Sequence, residues 1–160
     1  MNKKAVLITI INNKGTYGPE LIINGNMASG DPPDNWVIGG DNPVLSRVSD
    51  NGAFAANVVL TANSGGVIQL GPDLVIGKTY HLSMDLKNID LTGAGVRGIV
   101  FDHAFTIIIS TDFVTATDWT TVTVDFTPVT ESAYIYFQGA GSADESYRAT
   151  NISLREVLNP

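Results

Sequence analysis

Thr79-Tyr80-His81-Leu82-Ser83-Met84-Asp85-Leu86 is the stretch whose reading decides the fold. Tyr80, Leu82, Met84 and Leu86 fall on one side of an extended chain, and His81, Ser83 and Asp85 on the other. That period of two predicts a strand with one face in a core and one face outside. The same alternation recurs in Thr121–Thr127, where Val122, Val124 and Phe126 oppose Thr121, Thr123, Asp125 and Thr127. It returns in Ala133–Gln138, where Ile135 and Phe137 oppose Tyr134, Tyr136 and Gln138.

Working outward, further strands are predicted over Ala5–Ile11, Glu20–Ile23, Trp36–Ile38, Phe54–Leu60, Val67–Leu70, Gly98–Phe101, Thr106–Ser110 and Asn151–Glu156. Turn chemistry separates them, including Gly39-Gly40-Asp41-Asn42-Pro43, Asn51-Gly52 and Gly71-Pro72-Asp73. Such residues supply positive φ or a fixed turn. Val, Ile and Thr contribute 15 residues each, and β-branched side chains suit a pleated surface better than a helix. No segment sustains a 3.6-residue apolar period. The 160 residues therefore predict one all-β domain, with an arm or strand over residues 1–19 and a sandwich over 20–160.

Charge excludes some partners. Nine Lys and Arg against sixteen Asp and Glu leave a net charge of −7, and the cations are scattered. Phosphate backbones need clustered cations, so nucleic acid is not an expected partner. With no Cys there is neither a disulfide framework nor a thiolate metal site. No run is long enough for a membrane span. Lys3 and Lys4 precede the seven-residue, mostly apolar run Ala5–Ile11, but Asn12-Asn13-Lys14-Gly15 follows without a small-residue cleavage pattern. A retained strand or arm is expected there rather than a cleaved secretory leader.

Three segments resemble one known pattern, in order. Glu20-Leu-Ile-Ile-Asn-Gly-Asn-Met27 followed by Trp36 resembles the opening of family 4/9-type carbohydrate-binding modules. Val67-Ile-Gln-Leu70, then Leu74-Val-Ile-Gly-Lys-Thr-Tyr-His-Leu-Ser-Met-Asp-Leu86, resembles their middle. Trp119-Thr-Thr-Val-Thr-Val-Asp-Phe126, Ala133–Gln138 and Asn151-Ile-Ser-Leu-Arg-Glu-Val157 resemble their close. The set covers roughly residues 20–157. It implies an antiparallel two-sheet jelly-roll β-sandwich of the galactose-binding-like type, whose concave sheet or loops hold a sugar chain. The fold also occurs in viral tail and capsid-surface proteins, and a fold alone does not fix function.

Sugar recognition needs flat aromatic faces and planar groups that hydrogen-bond to paired hydroxyls. Tyr134, Tyr136 and Gln138 supply both on one strand, and Gln69 and His81 are expected nearby. The alternative is that the tyrosines are ordinary exposed aromatics filling cross-strand pairs. Arg97 and Arg148 have two readings, a clamp on an acidic or polar ligand or a salt bridge with a neighbouring carboxylate. By resemblance, Trp36 and Trp119 are expected in the core.

The resemblance also implies a structural Ca²⁺ between the opening turn and the last strand. Here Asn26-Met27-Ala28 and Asn151 stand where that pattern carries acids, which removes much of the charge a hard cation needs. Glu20, Asn26 and Asn151 are the remaining candidates, with Asp31 and Asp144 as substitutes, and no cofactor is expected.

Catalysis finds no motif. The two histidines, His81 and His103, lie in neither a Gly-x-Ser-x-Gly nor a His-Glu-x-x-His pattern, and sixteen scattered acids contain pairs by chance. The expectation is a non-catalytic surface module of a larger assembly, for instance a bacteriophage decoration, head-fibre or tail component. Its partners would be other structural proteins, reached through residues 1–19, and host glycans, at a virion surface or outside the cell. A free-standing lectin-like module is the alternative, and homo-oligomerisation stays open.

Overall fold

The computed structural model describes residues 16–158, so the expected strand Ala5–Ile11 lies outside the described residues. Ten antiparallel strands form two five-stranded sheets: β1 (Val37–Gly39), β2 (Val44–Asp50), β3 (Ala53–Val59), β4 (Ser64–Asp73), β5 (Tyr80–Asn88), β6 (Gly95–Asp102), β7 (Ile107–Ser110), β8 (Thr120–Phe126), β9 (Ser132–Ala140) and β10 (Ser146–Glu156). The first sheet runs β1-β4-β9-β6-β7 and the second β2-β3-β10-β5-β8. The described residues hold no helix. This is the all-β sandwich that the alternation predicts, in the two-sheet jelly-roll form that the resemblance implies.

The deciding stretch behaves as read. Along β5, Tyr80, Leu82, Met84 and Leu86 are buried while His81, Ser83, Asp85 and Lys87 are half-buried on the outer side. Facing them from the first sheet are Val96, Val100, Ile135 and Phe137. Tyr147 of β10 crosses this interior, and its fully buried hydroxyl donates toward the carbonyls of Gly65 (3.0 Å) and Phe137 (3.2 Å). One side chain thus ties the second sheet to two strands of the first.

Two elements differ from the sequence reading. β2 is a strand that periodicity did not reveal. It lies at a sheet edge and buries only Leu45, so its pattern is too polar to stand out. It joins β3 through Asn51-Gly52, both at positive φ (53° and 86°), as a two-residue hairpin turn requires.

Glu20–Ile23, conversely, is not a ladder strand: one backbone bond, from Leu21 to the Leu154 carbonyl, joins it to β10, and side chains take the amides of Ile22 and Ile23. Glu20 Oε1 accepts from the amides of Leu21 and Ile22, and Gln69 both donates to and accepts from the Ile23 backbone. Upstream, Gly18 donates to the Glu156 carbonyl and Tyr17 bridges Val157, so residues 16–19 lie along the end of β10.

Candidate functional site

Strand register arranges the outer face of the first sheet in three rows, since directly opposed residues share a face. The middle row is Val37, Ile68, Tyr136 and Ile99, followed by Ser110. On one side lie Leu70, Tyr134, Phe101 and Ile107, and on the other Gly39, Gly66, Gln138 and Arg97. The row Tyr134–Tyr136–Gln138 therefore faces outward, as the alternation predicted.

Tyr136 does not stand up from the sheet. Its ring leans over the glycine row, and its hydroxyl donates to the Gly39 carbonyl at 2.8 Å. A Cβ at Gly39 would come within 2.9 Å of the ring, and one at Gly66 within 2.5 Å of the hydroxyl oxygen. Glycine is required at both positions for the ring to lie flat. Only 7% of Tyr136 is exposed, and burial pushes its hydroxyl up to about 12, with Asp41 adding to the effect. Ile99 is sealed at 1% exposure, although neither residue belongs to the inter-sheet core.

The β6–β7 turn raises a wall beside this floor. Asp102 Oδ1 accepts from the amides of Ala104 (2.9 Å) and Thr106 (2.7 Å), while Phe105 donates to the Asp102 carbonyl. These bonds hold Phe105 at φ 59°, a conformation that costs a non-glycine residue about 1–3 kcal/mol. The ring it displays is 60% exposed and stacks on Tyr134 at 4.8 Å and 11°. His103 stacks on Tyr134 as well, at 5.2 Å, and Phe101 meets Tyr136 edge-on at 5.6 Å. Between floor and wall lies an open cleft of about 210 Å³ lined by Gly39, Gly40, Ile68, Phe101, Phe105, Tyr136 and Gln138. Aromatic faces, one planar amide and no carboxylate make up that lining.

Gln138 also accepts from Arg97 Nη2 at 3.2 Å, and the Arg97 guanidinium lies 4.6 Å over the Phe113 ring. Arg148 instead forms a salt bridge with Asp50 at 2.8 Å, the second of its two readings, whereas Arg97 forms none among the described residues. Two expected neighbours are not at the cleft. Gln69 points inward at 4% exposure with both ends of its amide on Ile23. His81 is on the second sheet, paired with Asp125 and 5.1 Å from the Tyr17 ring.

Trp36 is core as expected, but Trp119 is not. It is half-buried, with Lys87 5.6 Å over its ring, beside a hollow on the second sheet that Asp50 and Asp85 also line. Phe105 and Phe101 went unnoticed in the sequence reading. The available signal was a phenylalanine inside Asp102-His-Ala-Phe-Thr106, a turn with no interior in which to place it.

Glu20, Asn26 and Asn151 do meet, in a separate hollow of about 400 Å³. Their atoms do not fit a calcium ion. Glu20 Oε1 accepts from three backbone amides, and Oε2 accepts from Ser153 and from Arg155 Nε at 3.1 Å. Burial works against its charge, but these donors together hold the carboxyl below its ordinary value. Asn26 Oδ1 accepts from Ala28, and Asn151 donates to Asp85. Asp31 accepts from the Arg47 amide, and Asp144 stands in the β9–β10 turn. Among the described residues no three acidic or His side chains gather into a metal cluster.

No known family profile and no curated protein sequence matches this chain. Solved structures do share its fold. A family 16 carbohydrate-binding module is 24% identical with a TM-score of 0.64, over 84% of this chain and 98% of that one. TmCBM61, solved with β-1,4-galactotriose, is 18% identical with a TM-score of 0.62, over 86% of this chain and 98% of that one. The enzymatically active domain of bacteriophage CBA120 tailspike protein 4 is 13% identical with a TM-score of 0.62. That match covers 86% of this chain but only 21% of the tailspike chain. Identities this low show a common sandwich fold.

Proposed function

We propose that this chain is a non-catalytic polysaccharide-binding module whose outer first-sheet face holds the sugar chain. The observation that carries the reading is Phe105, an exposed aromatic held in a strained conformation against Tyr134 at the mouth of an aromatic-lined cleft. Strain of that kind persists where surrounding bonds over-determine it, and it gathers at ligand sites. Pyranose C–H faces stack on such rings, while Gln138 offers one donor and one acceptor to adjacent hydroxyls. A lining free of carboxylates lacks the acid pair that glycoside hydrolysis uses, which supports binding without cleavage. The carbohydrate-binding modules among the structural neighbours support the same reading.

Affinity electrophoresis against a panel of soluble plant, algal and bacterial polysaccharides tests it. At least one polymer is expected to retard the wild type. Phe105→Ala is expected to lose at least tenfold in affinity with its melting temperature kept, because the ring is mostly solvent-facing. A panel with no binder overturns the reading.

A second reading, attachment to a virion, is supported by the tailspike likeness. It is compatible with the first, since a virion-borne module can touch host glycans at the same cleft. Deleting residues 1–15 and scoring incorporation into particles tests this; unchanged incorporation would remove the arm from that role.

A further inference from the structure

Six of the nine cations fall among the described residues. Lys78 pairs with Glu156, Lys87 and Arg148 pair with Asp50, and Arg155 pairs with Glu20. Arg47 lies over Phe54 and donates to the Ala28 carbonyl. Neither Arg47 nor Arg97 has a carboxylate partner among the described residues, but Arg97 differs in two respects: its Nε is buried without an acceptor, and its one hydrogen bond goes to Gln138. Gln138 in turn lines the cleft.

A half-buried guanidinium without a counter-ion is an unbalanced charge, and more so in a chain of net charge −7. Phe113 supports its plane and Gln138 fixes its roll, so the fork is held open at the end of the aromatic floor. Nη1 donates to no acceptor among the described residues. A planar fork with free donors matches a carboxylate, with which it forms paired charge-assisted bonds. The acids beside the cleft and beside Phe113 do not supply one. Asp102 is engaged with its own turn, Asp41 accepts from Ser64, and Asp112, next to Phe113, forms no ion pair with Arg97. More distant acids are screened beyond about 8 Å at physiological salt.

We infer that the cleft selects an acidic polysaccharide: a uronic acid ring rests on Tyr136, Phe101 and Phe105, and its carboxylate is taken by Arg97 beside Gln138. This inference rests on the cleft being a glycan site and adds the substrate class. Binding at Arg97 supplies the missing counter-charge, while Gln138 spans carboxylate and ring hydroxyls.

The test uses two polyuronates, polygalacturonate and alginate, each beside its carboxyl-reduced neutral counterpart, with binding read by calorimetry. The wild type is expected to bind at least one polyuronate at least tenfold more tightly than its neutral counterpart, and more weakly as salt rises. Arg97→Gln is expected to erase that difference, while Arg97→Lys, which keeps charge but not the fork, restores only part of it. Comparing the two polymers on the wild type needs no variant to fold.

Equal binding to charged and neutral polymers, or neutral binding only, overturns the inference and leaves the glycan cleft standing. No binding to any polymer, in this set or in the wider panel, removes the cleft itself.

Discussion

Gly66→Ala probes how the cleft floor is built. A methyl at this position would sit 2.5 Å from both the Tyr136 hydroxyl oxygen and the Phe137 carbonyl oxygen, against about 3.5–4.0 Å for an ordinary contact between carbon atoms. The ring can swing away only by giving up its bond to Gly39, and the carbonyl can move only if β4 and β9 separate. Overpacking of this kind costs about 1–3 kcal/mol, and the lost hydrogen bond about 0.5–1.5 kcal/mol. Replacing glycine inside a strand returns about 0.5–1 kcal/mol. The net loss is about 2 kcal/mol, or roughly 4–8 °C in Tm for a domain of this size.

Two assays read this result. Urea unfolding gives the stability loss. Ultraviolet titration follows the tyrosines, of which Tyr136 is pushed up to about 12 and Tyr147 is raised well above its ordinary value, both chiefly by burial. In the variant the component near 12 is expected to move down toward 10 as the ring leaves its bed. A variant with wild-type stability and an unmoved titration would refute the flat Tyr136 floor.

Other outcomes follow from the same contacts. Gln69→Leu strips both backbone partners from Ile23 and is expected to cost about 2–4 kcal/mol in urea unfolding, at roughly 1–2 kcal/mol for each orphaned group; an unchanged midpoint would contradict that tie. Acid titration is expected to destabilise the sandwich. Lys87 and Arg148 hold the Asp50 carboxyl below its ordinary 3.8, so its contribution is present above that value and is lost as pH falls through the lowered one. Asp50→Asn should flatten that limb of a stability-versus-pH curve. At the alkaline end, the contribution of protonated Tyr136 is complete below pH 10 and is lost as pH rises toward 12, so Tyr136→Phe should be less sensitive there. Excess EDTA is expected to leave Tm unchanged, because Glu20 already spends its oxygens on protein donors; a fall reversed by calcium would contradict this.

What was legible followed from how strictly each segment obeys one period. β5, β8 and β9 each bury one face, so their alternation gave both the sandwich and the outward Tyr134–Tyr136–Gln138 row. β2 was silent because an edge strand buries little. Gln69 misled because an amide on a strand can point either way, and its inward partner, the Ile23 backbone, is 46 residues distant in sequence. His81 misled because alternation tells inside from outside but not which sheet a strand joins. Trp119 misled because it sits just before β8 at a sheet edge, where Lys87, rather than the core, covers its ring. The Phe105 wall depends on a turn that Asp102 organises, a contact between neighbours that no periodicity encodes.

The most direct measurement is amide chemical-shift mapping of the labelled protein titrated with an oligosaccharide of whichever polymer it binds. Saturable shifts are predicted at Gly39, Gly40, Ile68, Phe101, Phe105, Tyr136 and Gln138, extending to Arg97 with an acidic sugar. Shifts confined to the second sheet, around Trp119, Asp50 and Asp85, would place the ligand on the opposite face and contradict the account.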